Sequence, residues 1–181
     1  MMYSIRAAVN EFLMKRILTI TFGLCLLLAP QALFAQVLSN DYKALLEGMY
    51  SKTVPLVSCE QLKSMKNVIL LDTRERSEYD VSHLPNARWV GYKDFDLSRV
   101  ADIPKDANVV AYCTVGYRSE KVGEKLQKAG FSNVHNLYGS IFEWVNQGNV
   151  VYDNAGKTTP KVHAYSKKWG VWLNKGEKIY E

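Results

Sequence analysis

The stretch that decides the fold is Asn108–Gly130, NVVAYCTVGYRSEKVGEKLQKAG. Its apolar run, Val109–Tyr112, predicts a strand that ends at Cys113. Apolar residues then recur at helical spacing until a glycine ends the pattern, so a helix is predicted after the short loop. In open α/β sheets, ligands bind at the carboxyl ends of strands, and a helix N-terminus there favours negative charge. We therefore expect an easily ionised thiol at Cys113.

Short apolar runs and helical patterns alternate on both sides of this stretch. Further strands are predicted at 54–57, 68–71, 87–90 and 134–137, and helices at 58–65, 78–81, 94–100 and 141–147. Ser58 and Gln61 have the spacing of a capping box, and Ser77 is the expected N-cap of the helix at 78–81. The alternation indicates an α/β fold with a mainly parallel sheet.

Composition divides the chain into four segments. Residues 1–35 have the pattern of a signal segment, with basic residues, an apolar run at 17–28 and a small residue, Ala35, at the expected cleavage point. Met14 is an alternative start, and an uncleaved anchor is the alternative interpretation. The run is too short to span a bilayer, so we expect a protein exported to the periplasm or secreted, with no stable membrane span after cleavage.

The other three segments form the expected mature protein. Residues 36–53 predict a packing helix, and residues 54–150 form the α/β domain. Residues 151–181 are a basic, aromatic extension with a predicted hairpin over 150–162, which we expect to pack on the domain. The formal net charge of +5 is too small for a nucleic-acid footprint. The three cysteines lack the spacing of zinc ligands, so no metal or cofactor is predicted.

The loop after Cys113 supplies the predicted binding residues. They share backbone N–H groups that can converge on an anion: Thr114, Val115, Gly116, Tyr117, Arg118 and Ser119. The alternative for Cys113 is a buried structural cysteine. Arg118 is predicted to hold an anionic donor, or else lies on the surface. Ser119 either hydrogen-bonds the sulfur or caps the helix.

Two residues of a neighbouring strand end are predicted to support this loop. Asp72 and Arg74 either orient the loop or pair with Glu78 nearby. Cys59 follows the first strand and is a second thiol near the same edge of the sheet.

Three separated motifs resemble those of rhodanese-type sulfurtransferase domains over about residues 54–150. They are Asp72-Thr73-Arg74 with Glu78-Tyr79 and His83-Leu84-Pro85; Cys113 with Gly116, Arg118 and Ser119; and Gly139 with Trp144. Asn86 and Ser140 stand where that family usually or often has glycine, and Asn86 is acceptable if its φ is positive. The resemblance implies a five-stranded sheet with helices on both faces.

The resemblance also implies covalent catalysis in two half-reactions. Cys113 would take sulfane sulfur from a donor such as thiosulfate, hold it as a persulfide, and pass it to cyanide or a thiol, including a thiol on a protein. The alternative function is a non-catalytic module that binds a partner or carries persulfide sulfur.

Two related activities are weighed against sulfur transfer. Rhodanese-like phosphatases and arsenate reductases have five residues between the cysteine and the arginine, whereas four lie between Cys113 and Arg118, which favours a sulfur atom over a tetrahedral oxyanion. Redox chemistry would need Cys59. The family's strand order places Cys59 about 9–10 Å from Cys113, beyond the roughly 7 Å that a disulfide allows.

Export predicts a defined N-terminus for the mature protein. Cleavage after Ala35 leaves Gln36 as the first residue. Mass spectrometry of the protein purified from its native host tests this boundary, and a retained segment 1–35 would contradict it.

Overall fold

The computed structural model describes residues 39–180, so the predicted signal segment lies outside the described residues. Within 39–180, no helix has both the length and the apolar character needed to cross a membrane. The helices are α1 (Asn40–Met49), α2 (Cys59–Ser64), α3 (Arg76–Val81), α4 (Tyr117–Lys128), α5 (Ser140–Asn146) and α6 (Lys167–Gly170), with a 3₁₀ turn at Leu97–Val100. The strands are β1 (Leu56–Val57), β2 (Val68–Asp72), β3 (Arg88–Trp89), β4 (Asn108–Tyr112), β5 (Asn133–Leu137), β6 (Val151–Tyr152), β7 (Thr158–Thr159), β8 (Lys161–His163) and β9 (Glu177–Ile179).

The first five strands form one parallel sheet in the order β1-β5-β4-β2-β3. Strand β4 is central, and its residues 109–112 are buried because the strand has neighbours on both sides. Asp72 is paired with Tyr112, so the ends of β2 and β4 reach the same edge of the sheet. The α/β prediction is confirmed, and one strand, β5, separates β1 from β4 as expected.

Helix α4 covers the sheet with the apolar stripe that its spacing predicted. Val122 and Leu126 are fully buried and belong to one core cluster with Leu71, Val109 and Val134 of three strands. This packing fixes the N-terminus of α4 beside the carboxyl end of β4, so the intervening loop must be short.

Local turn chemistry explains several element boundaries. The capping box of α2 is confirmed, since Gln61 N donates to Ser58 Oγ at 3.2 Å and Ser58 N donates to Gln61 Oε1 at 2.8 Å. Asn86 has a φ of +57°, the conformation in which asparagine replaces glycine most readily.

Three boundaries differ from the sequence predictions. Helix α3 begins at Arg76 with Glu75 as its N-cap, not at Glu78 with Ser77 as its N-cap, because the Glu78 carboxylate accepts from Glu75 N at 3.0 Å. The helix predicted at 94–100 is only the 3₁₀ turn. The strand predicted at 158–162 is two strands separated by Pro160, which has no N–H to donate. Strand β9, the parallel partner of β8, was not predicted.

The C-terminal extension makes specific contacts with the preceding segments. Strand β6 exchanges two hydrogen bonds of 2.9 Å between Tyr152 and His83. The ring of Trp172 stacks on Tyr42 of α1 with centroids 5.4 Å apart. Asn146 Nδ2 of α5 donates to Trp172 O at 2.8 Å. The extension therefore lies against both α1 and α5.

Burial in the extension predicts its contribution to stability. Leu173 is fully buried, whereas Val171 is 61% exposed. We expect Leu173→Ala to lower the free energy of unfolding by about 2–5 kcal/mol because it removes packed methyl groups and leaves a cavity. Val171→Ala should change it by less than about 0.5 kcal/mol. Urea denaturation of both variants measures the difference, and equal midpoints would contradict docking of the extension.

Candidate active site

Cys113 lies directly after β4, at the start of a loop that we call the reactive loop, residues 113–118. Its side chain is only 1% exposed. Cys113 N donates to Ser140 Oγ at 3.1 Å, and Cys113 O accepts from Ile141 N at 3.2 Å. The N-terminal turn of α5 therefore fixes the backbone on both sides of the cysteine.

Ser140 stands where the domains that the sequence resembles often have glycine. Its φ is +53°, a region that side-chain-bearing residues rarely occupy. Its hydroxyl accepts from Cys113 N and lies 3.2 Å from Leu137 O, to which it donates. Ser140 therefore lacks the conformational freedom of a glycine, but its side chain hydrogen-bonds the backbone of Cys113.

Gly116 turns the reactive loop back toward the sulfur. Its N–H donates to Cys113 Sγ at 3.1 Å, and its φ is +112°. A Cβ at this position would collide with the hydroxyl of Tyr50. That hydroxyl donates to Val115 O and accepts from Gly139 N at 3.0 Å, so Tyr50 joins two backbone segments of the site. Only glycine satisfies both the close approach and the φ.

Asn136 supports the loop from the neighbouring strand β5. This fully buried amide donates from Nδ2 to Gly116 O at 2.9 Å and accepts at Oδ1 from Ser119 Oγ at 2.7 Å. Ser119 is thereby tied to a strand. The sequence analysis missed Asn136, although an amide one residue before the end of the predicted strand 134–137 was a usable signal.

Arg118 and Glu78 form the main ion pair of the site. The guanidinium nitrogens of Arg118 lie 2.6 and 2.8 Å from the two carboxylate oxygens of Glu78, which is 1% exposed. Thr114 Oγ1 donates to Glu78 Oε1 at 3.0 Å and accepts from Arg118 at 2.7 Å. The sequence analysis assigned the Arg118 guanidinium to an anionic donor. In the structure this guanidinium binds the Glu78 carboxylate of α3.

Asp72 and Arg74 pair with each other rather than with Glu78, which corrects one of the two expected roles. Both are fully buried, and Arg74 lies 2.6 Å from Asp72. Arg74 also donates to Ser82 O, and Trp89 Nε1 donates to Arg74 O at 2.9 Å. Of Asp72, Arg74 and Glu78, it is Glu78 that hydrogen-bonds the side chains of the reactive loop, so this part of the loop support passes from β2 through α3.

The electrostatics of this cluster favour a thiolate. Burial raises the pKa of the Cys113 thiol, but the charge of Arg118 and the N–H groups of Ser119 and Gly116 outweigh it and leave the pKa lowered. Burial also raises the pKa of Glu78, and its bonds to Arg118 reverse this and lower the pKa to about 2. The carboxylate is therefore ionised at neutral pH and keeps Arg118 in place.

The second thiol has the opposite environment. Cys59 is 1% exposed in the first turn of α2, and burial raises its pKa to about 12. Both Cys59 and Cys113 are free thiols in the structure. The contrast makes Cys113 the reactive cysteine of the two.

A cavity of about 300 Å³ opens onto Cys113. The reactive loop lines one side, including Thr114, Val115 and Arg118. Tyr117, 44% exposed, also lines it, while Gly116 and Ser119 do not line it and are hydrogen-bonded to Asn136. Met49, Tyr165 and Trp169, which we call the wall, complete the lining. Sequence reasoning missed this wall because those residues lie outside the motifs.

A family model of the rhodanese-like domain matches residues 58–147, which include α3, the reactive loop and α5. These residues form a rhodanese-like domain. The fold is similar to the solution structure of the rhodanese-like domain from an Anabaena protein. The superposition covers 55% of this chain and 79% of that chain, with a TM-score of 0.51 and 24% sequence identity. That likeness supports the fold.

Curated relatives share the rhodanese-like segment but are longer. The tRNA uridine(34) hydroxylase of Photorhabdus laumondii is 35% identical over 105 residues, 54% of this chain and 30% of that protein. The probable adenylyltransferase/sulfurtransferase MoeZ of Mycobacterium tuberculosis is 30% identical over 115 residues, 63% of this chain and 29% of that protein. The match thus spans under a third of each relative.

The charge of Arg118 predicts the pH dependence of Cys113 reactivity. Thiolate accumulates as the pH rises through the thiol pKa, so a lowered pKa moves alkylation by iodoacetamide to lower pH. Arg118→Gln removes the nearby positive charge and should raise the pH midpoint of Cys113 alkylation. Peptide mass mapping separates Cys113 from Cys59.

Arg76→Gln is the matched control, because Arg76 is an exposed arginine paired with Asp80 of the same helix. It should leave the midpoint at the wild-type value. A midpoint that does not change in Arg118→Gln would contradict the electrostatic role of Arg118.

Proposed function

We propose that this protein is a sulfurtransferase that carries sulfane sulfur as a persulfide on Cys113. The observation that carries the proposal is an ionisable sulfur at the base of a cavity, with Gly116 N–H aimed at it and a paired arginine beside it. A thiolate is the form of cysteine that attacks sulfur. The name of the Mycobacterium tuberculosis relative includes sulfur transfer, which supports the same chemistry.

The reaction balances without an external oxidant or reductant. The Cys113 thiolate attacks the outer sulfur of thiosulfate, the S–S bond breaks, and sulfite leaves with the bonding electron pair. Cyanide then attacks the outer sulfur of the persulfide, the new S–S bond breaks, and thiocyanate leaves while the thiolate is restored. The double displacement predicts ping-pong kinetics.

The reactive loop stabilises each negatively charged sulfur in turn. Gly116 N–H lies 3.1 Å from Cys113 Sγ, a distance suited to a charge-assisted bond. The compact loop, with four residues between Cys113 and Arg118, surrounds a sulfur atom more closely than it would a tetrahedral oxyanion. These features favour sulfur transfer over phosphate release.

The test is thiocyanate formation from thiosulfate and cyanide by the protein lacking residues 1–35. We expect Cys113→Ala to lose turnover and the persulfide adduct, each by at least about a hundredfold, because the nucleophile is gone. Cys59→Ala is the matched control and should retain both. Intact-protein mass spectrometry detects the adduct, and thiocyanate is measured by colour with ferric iron.

Two outcomes would redirect the proposal. A stable persulfide that does not turn over with cyanide or thiols would favour a sulfur carrier. Release of phosphate from an aryl phosphate, lost in Cys113→Ser, would replace sulfur transfer by phosphatase activity.

A further inference from the structure

The wall of the Cys113 cavity comes from outside the family-matched residues 58–147. Met49 is the last residue of α1, and Tyr165 and Trp169 belong to the C-terminal extension. The family segment therefore supplies the reactive loop, and two flanking segments supply the surface that a substrate meets. Since α1 and the extension are joined by the stacked rings of Tyr42 and Trp172, the wall is one connected structure.

This wall is apolar and aromatic. Met49 and Trp169 are half-buried, while Tyr165 is 52% exposed. Tyr165 has a φ of +64°, which is unfavourable for a tyrosine, and its N–H donates to His163 Nδ1 at 3.1 Å. Buried Ala164 precedes it and α6 follows, so the chain on both sides fixes this backbone conformation. Such a strained residue at a cavity wall is typical of a functional position.

The positive charge nearest the sulfur is already compensated. Arg118 has both carboxylate oxygens of Glu78 within 2.8 Å, and the ring of Tyr165 lies 5.2 Å from its Cζ. The guanidinium side chain is 13% exposed. A second anionic group would have to compete with Glu78 for the fork. A small dianion such as thiosulfate can therefore react at Cys113, but we expect it to bind there weakly.

The size of the cavity points the same way. Its volume of about 300 Å³ equals that of about ten water molecules at roughly 30 Å³ each. Thiosulfate and cyanide fill only a small part of that space and leave the aromatic wall without a contact. An organic group with a flat apolar body would cover it, with its sulfur directed at Cys113.

We propose that the organic partner of Cys113 is a thiol with an uncharged, flat apolar body, together with its persulfide, bound against Met49, Tyr165 and Trp169. The proposal rests on the proposed sulfur transfer and names its substrate class. In the forward direction the organic thiolate attacks the outer sulfur of the Cys113 persulfide. A new S–S bond forms on the organic sulfur, the bond to Cys113 breaks, and the cysteine leaves as thiolate with the electron pair.

The test compares acceptors in single turnovers of the Cys113 persulfide. Benzyl mercaptan, 2-mercaptoethanol and 2-mercaptoethanesulfonate are alkyl thiols that differ mainly in the body attached to the sulfur. We expect benzyl mercaptan to react about tenfold faster than 2-mercaptoethanol at subsaturating concentration, because its ring buries apolar surface on the wall. Cyanide is the reference acceptor, because it is too small to depend on contacts with the wall.

Substitutions in the wall locate the preference. Trp169→Ala and, separately, Tyr165→Ala should each reduce several-fold the ratio of the rate with benzyl mercaptan to the rate with 2-mercaptoethanol. Trp169→Phe keeps an aromatic ring and should restore most of the preference. Val171→Ala, in the same extension but exposed, should retain the wild-type ratio.

The outcomes separate this inference from the proposed function. Failure of the wild-type persulfide to form, or to react with cyanide and every thiol, would contradict sulfur transfer and this inference with it. Transfer to cyanide with equal rates for the three thiols would overturn the apolar site alone. Preference for the sulfonate would also overturn it, and would direct attention to Lys121, Lys125 and Lys128, which line a separate depression beyond Tyr117.

Discussion

The guanidinium of Arg118 stabilises the ionised forms of two groups, the Glu78 carboxylate and the Cys113 thiolate, and the candidate site depends on both interactions. Arg118 binds the buried carboxylate of Glu78 and lowers the pKa of the Cys113 thiol. Taking an ion out of water costs several kcal/mol unless a partner compensates it. A carboxylate and a thiolate beside each other would repel, and the arginine between them removes that conflict. Glu78 follows β2, and Arg118 follows β4 through the reactive loop, so the Arg118–Glu78 ion pair also links the ends of these two strands.

Backbone conformation sets the position of the sulfur as firmly as charge does. Gly116 and Ser140 both have positive φ, and each contributes a hydrogen bond to Cys113, one at Sγ and one at its backbone N–H. The positive φ of Ser140 costs free energy that a glycine would not incur. The hydroxyl compensates by bonding Cys113, so a departure from the family pattern supports the nucleophile by another route.

The flanking segments change what the family fold presents to a substrate. Tyr50, just after α1, holds Val115 and Gly139 together from beneath the reactive loop. Tyr165 and Trp169 line the cavity from the other side. Cys113 and its loop lie in residues 58–147, while three of the eight residues that line the cavity lie outside them.

The sequence by itself determined the order of strands and helices through α5, the capping box of α2, the position of Cys113 at a strand end, and the binding residues 114–119. These follow from local periodicity and turn chemistry, which a short window of residues expresses. Tertiary structure alone decided that Glu78 rather than Asp72 or Arg74 reaches the loop, that Asn136 and Tyr50 support it, and that Tyr165 and Trp169 face Cys113. The Asn136 and Tyr50 contacts, for example, join residues 20 and 65 positions apart in the sequence. Side chains so distant meet only when the fold brings their segments together.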